Sequence, residues 1–190
     1  MGSIKGTETE KNLLKAFAGE SQARGRYTMY AKVAKKEGYM QISHLFEETA
    51  YNEYQHAKQF FSFFEGGVVE ITAGYPTDIG TTAENLKFAA EGENEEHTIL
   101  YPKFAEVAEK EGFKEVARKF KMIAKIELEH EKRYLALLKN IEDGTVFKKS
   151  EKVRWKCQVC GFIHEGDAPP GVCPVCDHSH EHYEVHCEDY

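Results

Sequence analysis

The sequence predicts an all-α fold, a four-helix bundle with one long crossover, joined to a small C-terminal domain built on metal knuckles. Three observations predict it. Apolar residues recur at helical spacing in four long stretches. The motif Glu53-x-x-His56 returns as Glu127-x-x-His130, 74 positions later. Two Cys-x-x-Cys pairs follow, Cys157 with Cys160 and Cys173 with Cys176.

The first helix is expected over 7–37, where Leu13, Leu14, Phe17, Ala18, Tyr27, Tyr30, Ala31 and Ala34 share a face. Gly38 breaks it. The second runs from about 40 to 65, with Ile42, Leu45, Phe46, Phe60, Phe61 and Phe64, and Gly66-Gly67 stops it. Residues 66–81 hold four glycines and a proline, so they form a long connection. Thr81 or Thr82 caps a third helix reaching about 110, and Gly112 separates it from a fourth that ends at Asp143-Gly144. Two short links and one long one fit the ferritin-like topology. The bundle is assigned to residues 1–146, a linker to 147–154 and the four-cysteine domain to 155–190.

The chain carries an internal repeat. Residues 30–39 read YAKVAKKEGY and 104–113 read FAEVAEKEGF, identical at six of ten positions at a shift of 74. Upstream, Asn12, Gly19 and Glu20 match Asn85, Gly92 and Glu93 at a shift of 73. The second half therefore holds one extra residue between Glu93 and Phe104. A helix absorbs an extra residue as a π-bulge, and Pro102 tolerates the lost hydrogen bond, so a bulge is expected near Tyr101 and Pro102.

Positions i and i+3 lie on one helical face. Four inward-facing helices then deliver Glu20, Glu53, Glu93 and Glu127 with His56 and His130, the ligand set of a carboxylate-bridged dimetal centre. Carboxylate and imidazole with open positions suit iron or manganese. One Glu-x-x-His alone is common on helices and says little; the repeat is what gives the motif weight. Glu48, Glu109 and Glu129 read as solvated. Glu96 breaks the symmetry, because its repeat partner is Ala23, and it adds a fifth carboxylate on the face of Glu93.

The four cysteines form a tetrahedral thiolate site that takes zinc or iron, and spacing alone does not choose. Trp155, Phe162 and Tyr183 supply a small apolar core beside it. Cys187 reads as a free thiol, and His178, His180, His182 and His186 as a solvated tail. The formal charge of −7 gives no reason to expect nucleic acid as a partner. No apolar run approaches a membrane span, and the opening MGSIKG lacks a signal-peptide core, so the expectation is a cytoplasmic protein.

The segments AFAGESQAR, GENEEHTILYPKFA, HEKRY and WKCQVCGFIHEG, with the paired Glu-x-x-His motifs, resemble the rubrerythrin family along nearly the whole chain. The resemblance implies two non-haem irons in a ferritin-like bundle and one iron in a rubredoxin-like four-cysteine site. It implies reduction of hydrogen peroxide by a homodimer or higher homo-oligomer, fed by an electron donor such as a reductase or rubredoxin. It also implies that Glu96 and His56 exchange on one iron with oxidation state. Glu53 and Glu127 map to bridges, Glu20 to the iron of His56, and Glu93 with His130 to the other. Tyr27 and Tyr101 match tyrosines that hydrogen-bond near the site. The alternative from the same bundle is a ferroxidase or iron-handling protein; a scaffold with a zinc ribbon is the alternative from outside redox chemistry.

Overall fold

The structure, a computed structural model, describes residues 2–188. Met1 and the last two residues of the expected 155–190 domain lie outside the described residues. The helices are α1 (Glu8–Lys36), α2 (Met40–Phe61), α3 (Thr82–Glu95), α4 (Tyr101–Lys110) and α5 (Lys114–Glu142), with a π-helical segment at Glu96–Leu100 joining α3 to α4. The α3–π–α4 run is one bundle helix. Three short strands follow: β1 (Val153–Cys157), β2 (Ile163–Gly166) and β3 (Tyr183–Val185), in the antiparallel order β2-β1-β3. Among the described residues no helix is long and apolar enough to cross a membrane.

The repeat is visible in how the helices end. Gly38 and Gly112 both adopt positive φ, at 86° and 87°. Each lets the next residue bond back to the closing helix, Tyr39 N–H to Ala34 and Phe113 N–H to Ala108. The entries differ: Thr7 caps α1 by accepting from the Glu10 amide, and Thr81 with Glu84 forms a reciprocal capping box on α3. α2 closes four residues before its expected end. Phe63 and Phe64 bond three residues back rather than four, and the tightened turn lays both rings on the lower core.

Two apolar clusters fill the bundle, and a polar layer separates them. On α1, Leu13 and Ala16 belong to the lower cluster and Ala23 to Ala34 to the upper, with Glu20 between. α2 places Glu53 and His56 between Ala50 and Phe60. Glu93 lies between Ala90 and Tyr101, and Glu127 with His130 between Ile123 and Tyr134. Burying each large apolar side chain contributes about 1.5–3 kcal/mol. Those clusters offset a layer whose charges each cost several kcal/mol to desolvate.

The linker begins after α5 but is shorter than expected. Val153 and Arg154, assigned to it, open β1, and the Lys149 amide already bonds the Asp167 carbonyl of the small domain. Trp155, Cys157, Cys173 and Tyr183 are buried together, with Phe162 packed against them. The histidine-rich ending is not a loose tail. His180–His182 form a 3-10 turn that leads into β3, and both contact α2. The Phe147 ring stacks on Tyr39 and meets His180 edge-on.

Candidate metal centre

Both histidine rings turn Nδ1 inward. His56 Nδ1 lies 2.9 Å from Glu53 Oε2, 3.0 Å from Glu127 Oε1 and 3.8 Å from Glu20 Oε2. His130 Nδ1 lies 3.2 Å from Glu53 Oε1, 2.9 Å from Glu127 Oε2 and 3.7 Å from Glu93 Oε1. Glu53 and Glu127 therefore send one oxygen to each half, while Glu20 and Glu93 serve one half each. The ligand atoms of Glu20, Glu53, His56 and Glu127 converge within 4.8 Å, and so do those of Glu53, Glu93, Glu127 and His130.

All six side chains are buried, and many of their atoms lack partners. Glu20 Oε2, Glu53 Oε1, Glu93 Oε2, both Glu127 oxygens and His130 Nδ1 make no hydrogen bond. Buried carboxylate oxygens are seldom left so. Orphaned oxygens and imidazole nitrogens facing one point are the donors a pair of hard divalent cations takes, so the residues fit two irons.

The electrostatics agree. Burial and the Glu53 charge push Glu93 up to about 8. Burial opposes charge on His130, yet the Glu127, Glu53 and Glu93 carboxylates push it up to about 12. His56 is raised in the same way by Glu127, Glu20 and Glu53. Glu53 is held down at about 2 against its burial by the two histidines and Glu20. Protons on these groups stand where metal charge would otherwise balance the carboxylates.

Two tyrosines cross the repeat. Tyr27 donates to Glu93 Oε1 at 2.7 Å, and Tyr101 donates to Glu20 Oε1. Glu20 and Tyr27 are seven positions apart, Glu93 and Tyr101 eight. The π segment between Glu93 and Tyr101 absorbs the difference, so both tyrosines face the layer. It begins a few residues upstream of Pro102, the expected position. Glu131 ties it to α5, accepting from Asn94 at 2.8 Å and pairing with His97 at 2.6 Å.

Glu96 sits on this segment, half-buried and outside both converging groups. Its Oε1 would lie 3.8 Å from a Cβ built on Gly19. Desolvation, then the charges of Glu20 and Glu93, raise its pKa well above the ordinary range. Glu48, Glu109 and Glu129 are exposed. Asn52 is the site residue that sequence reasoning missed: its Oδ1 lies 3.3 Å from His130 Nε2. The one signal was asymmetry, since Ile126 stands at the repeat-equivalent position.

In the small domain the four sulfurs also converge, with Cys157 and Cys176 3.7 Å apart and Cys160 and Cys173 3.6 Å. Each knuckle closes on a left-handed residue, Gly161 and Asp177, whose amides bond back to the Cys157 and Cys173 carbonyls. Burial disfavours the Cys173 thiolate, but the Tyr183 hydroxyl and the Val175 and Cys176 amides hold its thiol down at about 6. The His178 amide favours a thiolate at Cys176, yet burial and the neighbouring sulfurs push that thiol up to about 12. Four thiolates this close need a cation at their centre.

Fold and sites together define a ferritin-like carboxylate–histidine dimetal protein carrying a four-thiolate module. The rubrerythrin family model matches residues 11–138, and the model for the rubrerythrin rubredoxin-like domain matches 155–184. Rubrerythrin of Porphyromonas gingivalis is 60 % identical over 96 % of this chain and 92 % of its own length. Rubrerythrin-1 of Clostridium acetobutylicum is 58 % identical over the full length of both. The solved structure of fully reduced, all-ferrous nigerythrin aligns at a TM-score of 0.64 and 30 % identity, covering 97 % of this chain and 92 % of that one. The chain belongs to the rubrerythrin family. Its cofactor sites are a diiron carboxylate–histidine site in the bundle and a four-cysteine site in the rubredoxin-like domain.

Proposed function

We propose that this chain reduces hydrogen peroxide to two waters, drawing electrons through the rubredoxin-like domain. The observation that carries this reading is the presence, in one chain, of two buried, converging Glu/His groups that could hold a metal pair and of four converging thiols. Cleaving peroxide takes two electrons and two protons. When bound, the iron pair supplies two electrons and Lewis-acid sites, and a four-thiolate iron passes electrons singly with little change of geometry.

The residues of the chain do the rest. Glu53 and Glu127, shared by both halves, would hold both metals, Glu20 and Glu93 would hold one each, and Tyr101 and Tyr27 hold those two carboxylates in place. Burial and the charges of Glu20 and Glu93 favour the protonated form of Glu96, which lines an open cleft and so is placed to give a proton to a leaving oxygen. The aromatic clusters above and below keep water from the layer. Cys157, Cys160, Cys173 and Cys176 hold the iron of the electron port, which an external reductase or rubredoxin supplies. Four cysteines gathered for a metal rather than paired as disulfides favour a reducing compartment such as the cytoplasm. Met29, Tyr51, Tyr54 and Phe61, exposed on α1 and α2, support a homodimer that covers them.

The test is Cys160→Ser in steady-state peroxide consumption with an electron donor. A single oxidation of the pre-reduced protein proceeds as before, while steady-state turnover stops. Unchanged steady-state turnover contradicts the port.

A further inference from the structure

A cleft of about 570 Å³ runs between α1 and the α3–π–α4 helix, under the crossover residues 72–76. Its inner wall includes Glu96 and Tyr101, the latter bonded to Glu20. Gly19 lines the passage to Glu96: a Cβ there would make ordinary contact with Tyr75 at 3.5 Å and with the Glu96 carboxylate at 3.8 Å. The crossover is pinned as a wall. Tyr75 donates to the Lys15 carbonyl at 2.9 Å, Tyr30 to the Asp78 carbonyl at 2.7 Å, and Gln22 to the Pro76 carbonyl.

Hydrogen peroxide needs roughly the room of two waters, on the order of 60 Å³. The cleft is far larger and lies within the usual range for small organic ligands, about 300–1,000 Å³. Its body is apolar, with Ala16, Leu100, Phe104 and Val107. Among its polar lining residues Asn12 and Arg26 are buried, and Arg26 is bonded to Gln22 at 2.9 Å and has no carboxylate partner among the described residues.

Resting on the peroxide reading above, we infer that the chain also takes organic hydroperoxides, with the carbon skeleton lodged in this cleft and the –OOH group at Glu96 and Tyr101. The reaction is ROOH plus two electrons and two protons giving ROH and water. The O–O bond breaks, both electrons come from the reduced iron pair, and each oxygen leaves protonated. The alcohol departs through the same cleft.

Calorimetry of the iron-loaded protein with 2-phenylpropan-2-ol, the product of cumene hydroperoxide, tests occupancy apart from turnover. One alcohol binds per chain, and Val107→Trp abolishes binding. In turnover, Val107→Trp lowers kcat/KM for cumene hydroperoxide by about tenfold or more while leaving that for hydrogen peroxide within about twofold. Ala73→Trp, at an exposed crossover position, gives the same split without risk to the core. The inference is overturned if the unsubstituted protein does not bind the alcohol, or if both variants leave the ratio of the two peroxides unchanged. Failure with hydrogen peroxide itself would instead remove the underlying reading, whatever the alcohol does.

Discussion

His130 turns Nδ1 to the cluster and Nε2 to Asn52, so the amide oxygen selects which nitrogen carries the proton. Groups that orient a metal-bound histidine are worth about 10–100-fold in metal affinity. Asn52→Ala is accordingly expected to weaken iron binding by roughly that factor, read by competition with a chelator, and to leave the four-cysteine site unaffected. The pKa pattern sets a pH dependence. In the metal-free protein at pH 7, Glu93 at about 8 and His130 at about 12 hold protons that metal must displace. Loading therefore releases about two protons or more per chain, and affinity rises with pH, less steeply once Glu93 has titrated because His130 still holds its proton. Potentiometry in weak buffer checks this; loading without proton release contradicts it. At this scale the convergence of four glutamates and two histidines was legible because chemistry suggested their types and the repeat set their spacing. Asn52 was not, since an amide one position before Glu53 carries no periodic signal.

The bundle helices show what register can and cannot tell. A shift of 73 before Glu93 and 74 after Phe104 locates an extra residue between them. It does not say where the helix widens. Packing decides that: Glu131 fixes Asn94 and His97, and the π turn falls at Glu96–Leu100. Deleting exposed Thr98 removes the extra residue and restores an ordinary helical turn. Tyr101, downstream of the deletion, then leaves Glu20. We expect iron to be retained, because Glu93 lies upstream, and the rate of oxidation by peroxide to fall by about 10²-fold in rapid mixing. An unchanged rate would show that the π segment has no part in the chemistry. Helix ends were legible at Gly38 and Gly112, where a left-handed residue is needed. The end of α2 was not, because Phe63 and Phe64 continue the apolar pattern but pack through a tighter turn.

In the whole molecule two metal modules share one chain. Their order and chemistry were legible in the Glu-x-x-His repeat and the Cys-x-x-Cys pairs. Their contact was not, for it rests on single side chains such as Phe147 against Tyr39 and His180, outside any periodic pattern. That contact also turns the histidine-rich ending from expected tail into packed turn. The central claim is that the iron pair is a peroxide-reducing centre. The most direct measurement is rapid mixing of the anaerobically reduced, iron-loaded protein with hydrogen peroxide and, separately, with dioxygen, following the absorbance of both iron sites. The account predicts oxidation by peroxide much faster than by dioxygen, with iron retained and reducible again. Dioxygen as fast as peroxide, or iron released on oxidation, would contradict it and favour iron handling.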